Sequence, residues 1–289
     1  MRLTANSGVY RLKSDKNEHI ASLEYLHNAG FAGMDINLHG AIVPGRYLAG
    51  DEWKEGIEAV AETAQRLGMC LDQSHLPFYN FADPACPDLE EKNRMFARMI
   101  EASGILGVKW AVFHPGNAVD SVLGVKESKR RTIEFLKPYM ELAEKNQVGI
   151  AIENLFVPRK LKKAYRYCSW AEEVCDLVDS IPGNVGVCWD FGHANLLGDD
   201  QAESLKLVGK RLKVIHVHDN DGKRDDHQVP FTYCCNVDWE GILPVLKRIG
   251  YEGNFNFEII NPKMLAGAAE GFGIYLRQLG MEMIRMTGI

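Results

Sequence analysis

Short apolar runs alternate along this chain with longer stretches whose apolar residues recur every three or four positions. The first pattern predicts strands and the second predicts amphipathic helices. Strands are expected at 3–6, 33–37, 70–75, 109–114, 149–154, 185–190, 213–218 and 254–259. Helices are expected at about 16–29, 53–67, 89–106, 126–146, 170–180, 202–210, 239–249 and 268–286. Gly30, Gly68 and Gly250 fall at helix–strand joints, where a left-handed residue ends a helix. Eight strand–helix repeats predict a parallel sheet. An eightfold α/β barrel, the (β/α)8 TIM barrel, fits both this order and the length of 289 residues. No Pro/Gly/Ser-rich linker interrupts it, so one domain over 1–289 is expected. An open doubly wound sheet is disfavoured, because no G-x-G-x-x-G or G-x-x-x-x-G-K-[ST] loop follows the early strands.

Composition narrows the function classes. A hydrophobic share of 46% with 25% charged residues is that of a globular protein. The net charge of −6 argues against a nucleic-acid partner. The basic run Lys129-Arg130-Arg131 lies in a helical pattern and is read as a solvated face. Seven cysteines, an odd number without any C-x-x-C, point to a reduced, cytoplasmic protein. The opening MRLTANSGVY has no apolar core, so no signal peptide is expected, and no apolar run is long enough for a membrane span.

The informative feature is where ionisable residues fall. Glu153 ends the fifth strand on the face of Ala151, and Asp190 ends the sixth on the face of Gly186 and Cys188. His216 and His218 share a face of the seventh with Val214. Glu258 and two asparagines lie opposite Phe255 and Phe257 on the eighth. His75 and His114 end the third and fourth. Six strands therefore end in a metal-capable side chain, at the end where a parallel barrel gathers its active site. Burying unpaired charge is costly, and one bound cation would compensate all of these groups together. Carboxylates with imidazole suit Mn2+, Mg2+, Co2+ or Zn2+. A hydrogen-bonded polar core without metal is the alternative.

These residues also carry a resemblance. Phe113-His114-Pro115-Gly116, Ile152-Glu153-Asn154, Trp189-Asp190-Phe191-Gly192-His193, His216-Val217-His218-Asp219 and Phe257-Glu258, in this order, resemble the xylose isomerase-like TIM-barrel superfamily. That superfamily includes sugar-phosphate isomerases and epimerases and the endonuclease IV family, and the likeness is nearest to its ketose 3-epimerases. The resemblance implies one divalent ion, Mn2+ first, held by Glu153, Asp190, His216 and Glu258. It implies substrate contacts from His193 and from a basic residue after the seventh strand, for which Arg224 is the candidate. His75, His114 and Phe156 are further candidates for substrate contact. Endonuclease IV holds three zinc ions, and His75, His114, His193, Asp225 and His227 stand at candidate positions for extra ligands. Asp225, Asp226 and His227 are read here as a polar loop over the site.

The chemistry implied is proton abstraction next to a carbonyl, through a metal-stabilised enediolate, with Glu153 and Glu258 as base and acid. His218 is expected to support the ligands from behind. Phe78 and Phe156 are candidates for a sugar-facing wall, while Tyr79, Trp189, Phe191 and Trp239 are assigned to core packing. Arg159, Lys160, Lys162 and Lys163 are read as a solvated loop. The expected partner is a small carbohydrate, with self-association as a homodimer or homotetramer left open. The alternatives are an endonuclease IV-like phosphodiesterase, a dehydratase or lyase acting on an inosose- or glycoside-type substrate, and a non-catalytic sugar-binding barrel.

Overall fold

The period-two runs form strands and the amphipathic stretches form helices around them. In the computed structural model, residues 1–9, 17–121, 123–157, 166–260 and 265–289 are described. The basic loop at 159–163 and the expected helix start at 16 lie outside them. The chain runs β1 (Leu3–Asn6), α1 (Glu18–Ala29), β2 (Gly33–Asn37), α2 (Trp53–Leu67), β3 (Cys70–His75), α3 (Leu89–Ile105), β4 (Trp110–Phe113), α4 (Gly124–Lys145) and β5 (Gly149–Glu153). It continues through α5 (Ala171–Ser180), β6 (Val185–Asp190), α6 (Phe191–Leu197), α7 (Gln201–Val208), β7 (Leu212–His216), α8 (Trp239–Arg248), β8 (Phe255–Phe257) and α9 (Ala269–Thr287).

Each strand pairs in parallel with its sequence neighbour, in the order β7-β6-β5-β4-β3-β2-β1-β8. Closure between β7 and β8 uses Val217, whose N–H donates to Asn256 O (2.8 Å) and whose carbonyl accepts from Glu258 N (3.0 Å). The result is a (β/α)8 TIM barrel.

Alternation along the strands separates two interiors. Outward residues such as Met34, Ile36, Phe255 and Phe257 pack with the helices in one continuous apolar layer. On α2, Ile57, Val60 and Ala64 supply the buried stripe. Inside the barrel, Val112, Ala151, Cys188 and Val214 form a small apolar plug. The opposite inner wall is polar: Thr4 Oγ1 donates to Asn256 Oδ1 (2.8 Å), and Asn256 Nδ2 and Gln73 Nε2 both donate to Asp35 Oδ2 (3.1 and 3.2 Å). This interior carries the layer of ionisable residues above it.

Two details differ from expectation. β4, β7 and β8 end early, so His114, His218 and Glu258 stand just past their strands, where the ladder gives way to loops. Helix α6 was not expected. Asp190 caps it by accepting from His193 N (2.6 Å), and Gly198, at φ 72°, ends it in the left-handed region. No helix of the described residues is long and apolar enough to cross a membrane.

Candidate metal centre

Four strand ends converge on one point. His216 Nδ1 lies 3.2 Å from Glu153 Oε1, 3.1 Å from Glu258 Oε2 and 3.7 Å from Asp190 Oδ2. One donor atom from each of Glu153, Asp190, His216 and Glu258 falls within 4.8 Å of all the others, and all four residues are buried. Three carboxylates outnumber the single imidazole, even when that imidazole is protonated. A divalent cation neutralises the excess, so the donor set fits one, and its O/N character does not choose among Mn2+, Mg2+, Co2+ and Zn2+.

Two further groups adjoin this one. Glu153 Oε2 lies 3.3 Å from His75 Nε2 and 2.7 Å from His114 Nε2, yet accepts no hydrogen bond of acceptable geometry. Asp225 Oδ2 lies 3.5 Å from His193 Nε2 and 3.4 Å from His227 Nε2. Asp225 Oδ1, also without a hydrogen bond, is 3.9 Å from His218 Nε2. Buried oxygens left this way are expensive, which again suits a cation.

The histidines are turned the same way. Nδ1 of His75 pairs with Leu76 O (2.9 Å), that of His193 with Asn154 O (2.8 Å) and that of His227 with Glu258 O (2.8 Å). A carbonyl can only accept, so each Nδ1 carries a proton and each ring turns its Nε2 toward a carboxylate, as a second N–H when the ring is charged and as a free lone pair for a cation when it is neutral. Ring nitrogens fixed in this way are a usual accompaniment of metal ligation. His218 Nε2 contacts Asp190 Oδ2 at 2.9 Å. A Cβ at Gly192 would lie 2.0 Å from His218 Cε1, so glycine there admits that ring.

Burial opposes charge at every one of these residues, and the neighbours decide the outcome. Glu153 is pushed up by burial but held well below the carboxylate range by His114 and His216. Burial lowers His114 to about 4 despite Glu153. His193 overcomes burial through Asp190 and Asp225 and rises to about 10, and His227 rises to about 9 through Asp225 and Glu258. Both values lie above the unfolded value of about 6.5. Their contribution to stability is therefore complete below about pH 6.5 and is lost as pH rises through 9 to 10. Chelator-treated protein should melt lower at pH 9.5 than at pH 6.5, and added metal should flatten the difference, because ligation takes the neutral rings. A metal-free midpoint that holds or rises over this range would show that these histidines fold uncharged.

The remaining candidates divide. Phe78, 40% exposed, stacks on His39 (3.9 Å) and on His114 (5.0 Å), and Phe156 leans on His193 (4.8 Å). Trp189, Phe191 and Trp239 are buried, and Tyr79 packs on Phe81. Arg224 is not brought into the centre: its side chain is 69% exposed and pairs with Asp226 at 3.3 Å. Asp225 and His227, read from sequence as a polar loop, instead face the histidines. Two residues were missed. Asp35 lies 3.7 Å beneath His216 Nε2, and burial lifts it to about 6. Its signal was an acid inside the apolar run Gly33-Met34-Asp35-Ile36. Arg166, whose guanidinium carbon lies 5.6 Å from the Phe156 ring centroid, carried no sequence signal.

The family described as "Xylose isomerase-like TIM barrel" matches residues 23–279. The chain is 28% identical to "Inosose isomerase" of Bacillus velezensis over 61% of this chain and 62% of that protein. It is 27% identical to "Probable endonuclease 4" of Mycoplasmoides gallisepticum over 63% of this chain and 58% of that protein. The chain thus spans about three fifths of the length of these curated relatives. A solved structure described as a D-tagatose 3-epimerase-like protein superposes with a TM-score of 0.75 at 22% identity over 100% of both chains, a likeness of fold.

Proposed function

Since the chain belongs to the xylose isomerase-like TIM-barrel family, we propose that it is a divalent-metal-dependent isomerase or epimerase. Its substrate would be a sugar, sugar phosphate or related polyol ketone. The observation that carries this reading is the meeting of Glu153, Asp190, His216 and Glu258 at one point. The inosose isomerase relatives support the same class of substrate.

When bound, a divalent ion supplies Lewis-acid polarisation of a carbonyl and its neighbouring hydroxyl. Glu153 takes the proton from the carbon between them. Glu258, from the far side of that carbon, returns one. His193 orients a substrate hydroxyl. Phe78 and Phe156 line the sugar-facing wall.

A second reading rests on the two adjoining groups. If Glu153 Oε2 serves His75 and His114 as a shared metal ligand, it is not free to act as a base. The site then resembles a multi-metal phosphodiesterase, as the endonuclease 4 relative suggests.

Metal analysis of protein purified without chelators, followed by a ketose screen in deuterated water, separates the two. The isomerase reading expects one ion per chain and solvent deuterium at the carbon next to the carbonyl. Three zinc ions with cleavage of abasic-site DNA would replace it with the second reading, and protein without any divalent ion would end both.

A further inference from the structure

Arg166, between β5 and α5 in the chain, stands near the carboxylates of the barrel mouth. The residue is half-buried, and its guanidinium carbon sits 5.6 Å from the Phe156 ring centroid. Phe156 packs in turn on the His193 ring (4.8 Å), and His193 touches Glu153, Asp190 and Asp225. A stack of guanidinium, phenyl ring and imidazole thus fixes the cation relative to the metal-ligating layer. Among the described residues the guanidinium makes no ion pair and no hydrogen bond. Its charge is felt by His114, and it feels Glu153 and Asp225, at longer range.

This arrangement leaves a charge imbalance. A guanidinium partly withdrawn from water gains from an anionic partner, and burial depresses its pKa here. The nearest carboxylates are those that face the histidines and the proposed cation. Once they are committed to metal, no carboxylate among the described residues pairs with Arg166. Its planar fork of donors matches a phosphate or carboxylate with two parallel hydrogen bonds. Arg224, another arginine that follows a strand end, already has Asp226 and lies in solvent.

We infer that Arg166 is the anion-recognition residue of this site, and that the substrate carries a phosphate or carboxylate group. The anionic end would lie over Phe156 while the carbonyl end faces Glu153 and Glu258. The inference rests on the barrel-mouth site proposed above and narrows its substrate to an anionic sugar, either a sugar phosphate or a sugar acid.

The test is calorimetric titration of the full-length, metal-analysed protein with inorganic phosphate and with acetate. Saturable binding of one or both is expected in the wild type. Arg166→Met should weaken it at least tenfold, Arg166→Lys should recover part of the loss, and Arg224→Met should leave it unchanged. A larger loss for phosphate points to a phosphorylated sugar, and a larger loss for acetate points to a sugar acid. Equal affinity in Arg166→Met and wild type, or a wild type that binds neither anion, overturns the inference. The lysine variant and a melting curve separate lost recognition from lost folding. Metal content, read on the same samples, reports separately on the proposed centre, so either proposal can fail without the other.

Discussion

Exchange of Glu153 for Gln should lower turnover at least a hundredfold while metal stays bound. An amide oxygen can still ligate, but it cannot take a proton at neutral pH. General acid–base groups contribute about 10²–10⁴-fold, so the lower bound follows from losing one of them. The structure makes this a sharp test, because the two carboxylate oxygens have different neighbours. Oε1 lies 3.2 Å from His216 Nδ1, while Oε2 faces His75 and His114. Glu258→Gln should cost a similar factor, since proton return is as necessary as proton removal. The measurements are turnover and solvent-deuterium uptake on the ketose identified by screening, with metal content determined in parallel. A variant that turns over normally with its metal in place would remove that glutamate from the acid–base role.

Removal of the imidazole at His216 should weaken divalent-ion binding at least a hundredfold, or about 2.7 kcal/mol. His216 is fully buried and its Nδ1 faces three carboxylates. In His216→Ala those carboxylates lose a ligand partner and, in metal-free protein, their nearest positive charge. Burial alone would lower the His216 pKa, yet Cys188, Glu258 and Glu153 hold it well above the ordinary range, so the ring is charged when no metal is present. Stripping one partner from a buried ionic group costs about 3–5 kcal/mol, so the metal-free variant should also unfold at lower urea. Equilibrium dialysis against a competing chelator reads the first effect and a denaturation curve reads the second. Wild-type affinity in His216→Ala would place the ion elsewhere in the barrel.

The effects predicted for Glu153 and His216 concern residues that the strand pattern already singled out. Glu153 and Asp190 each close an apolar run with a charge, which is rare enough to be read without coordinates. His218 and Asp190 show where that reading stops. The run 213–218 gave the face but not the early end of β7, nor the glycine at 192 that lets the His218 ring reach Asp190. Arg224 shows a different limit, because position after a strand says nothing of which way a loop side chain turns. There the chain chose Asp226 and solvent.

The alternation of apolar and polar positions is a local property. It was sufficient to determine the eight strands, the barrel and the residues that stand at its C-terminal rim, since period two assigns each side chain to a face and parallel strands bring like ends together. The distances across the rim are not local. Which oxygen of Glu153 meets which histidine depends on the register of β3, β4, β5 and β7 against one another. The positions of Asp225 and His227 depend on the loop held by the Asp219–Gln228 backbone pair and by Trp239 Nε1 donating to Asp219 Oδ2. The place of Arg166 depends on its contact with the Phe156 ring. Those contacts join residues far apart in the chain, and only the closed barrel decides them.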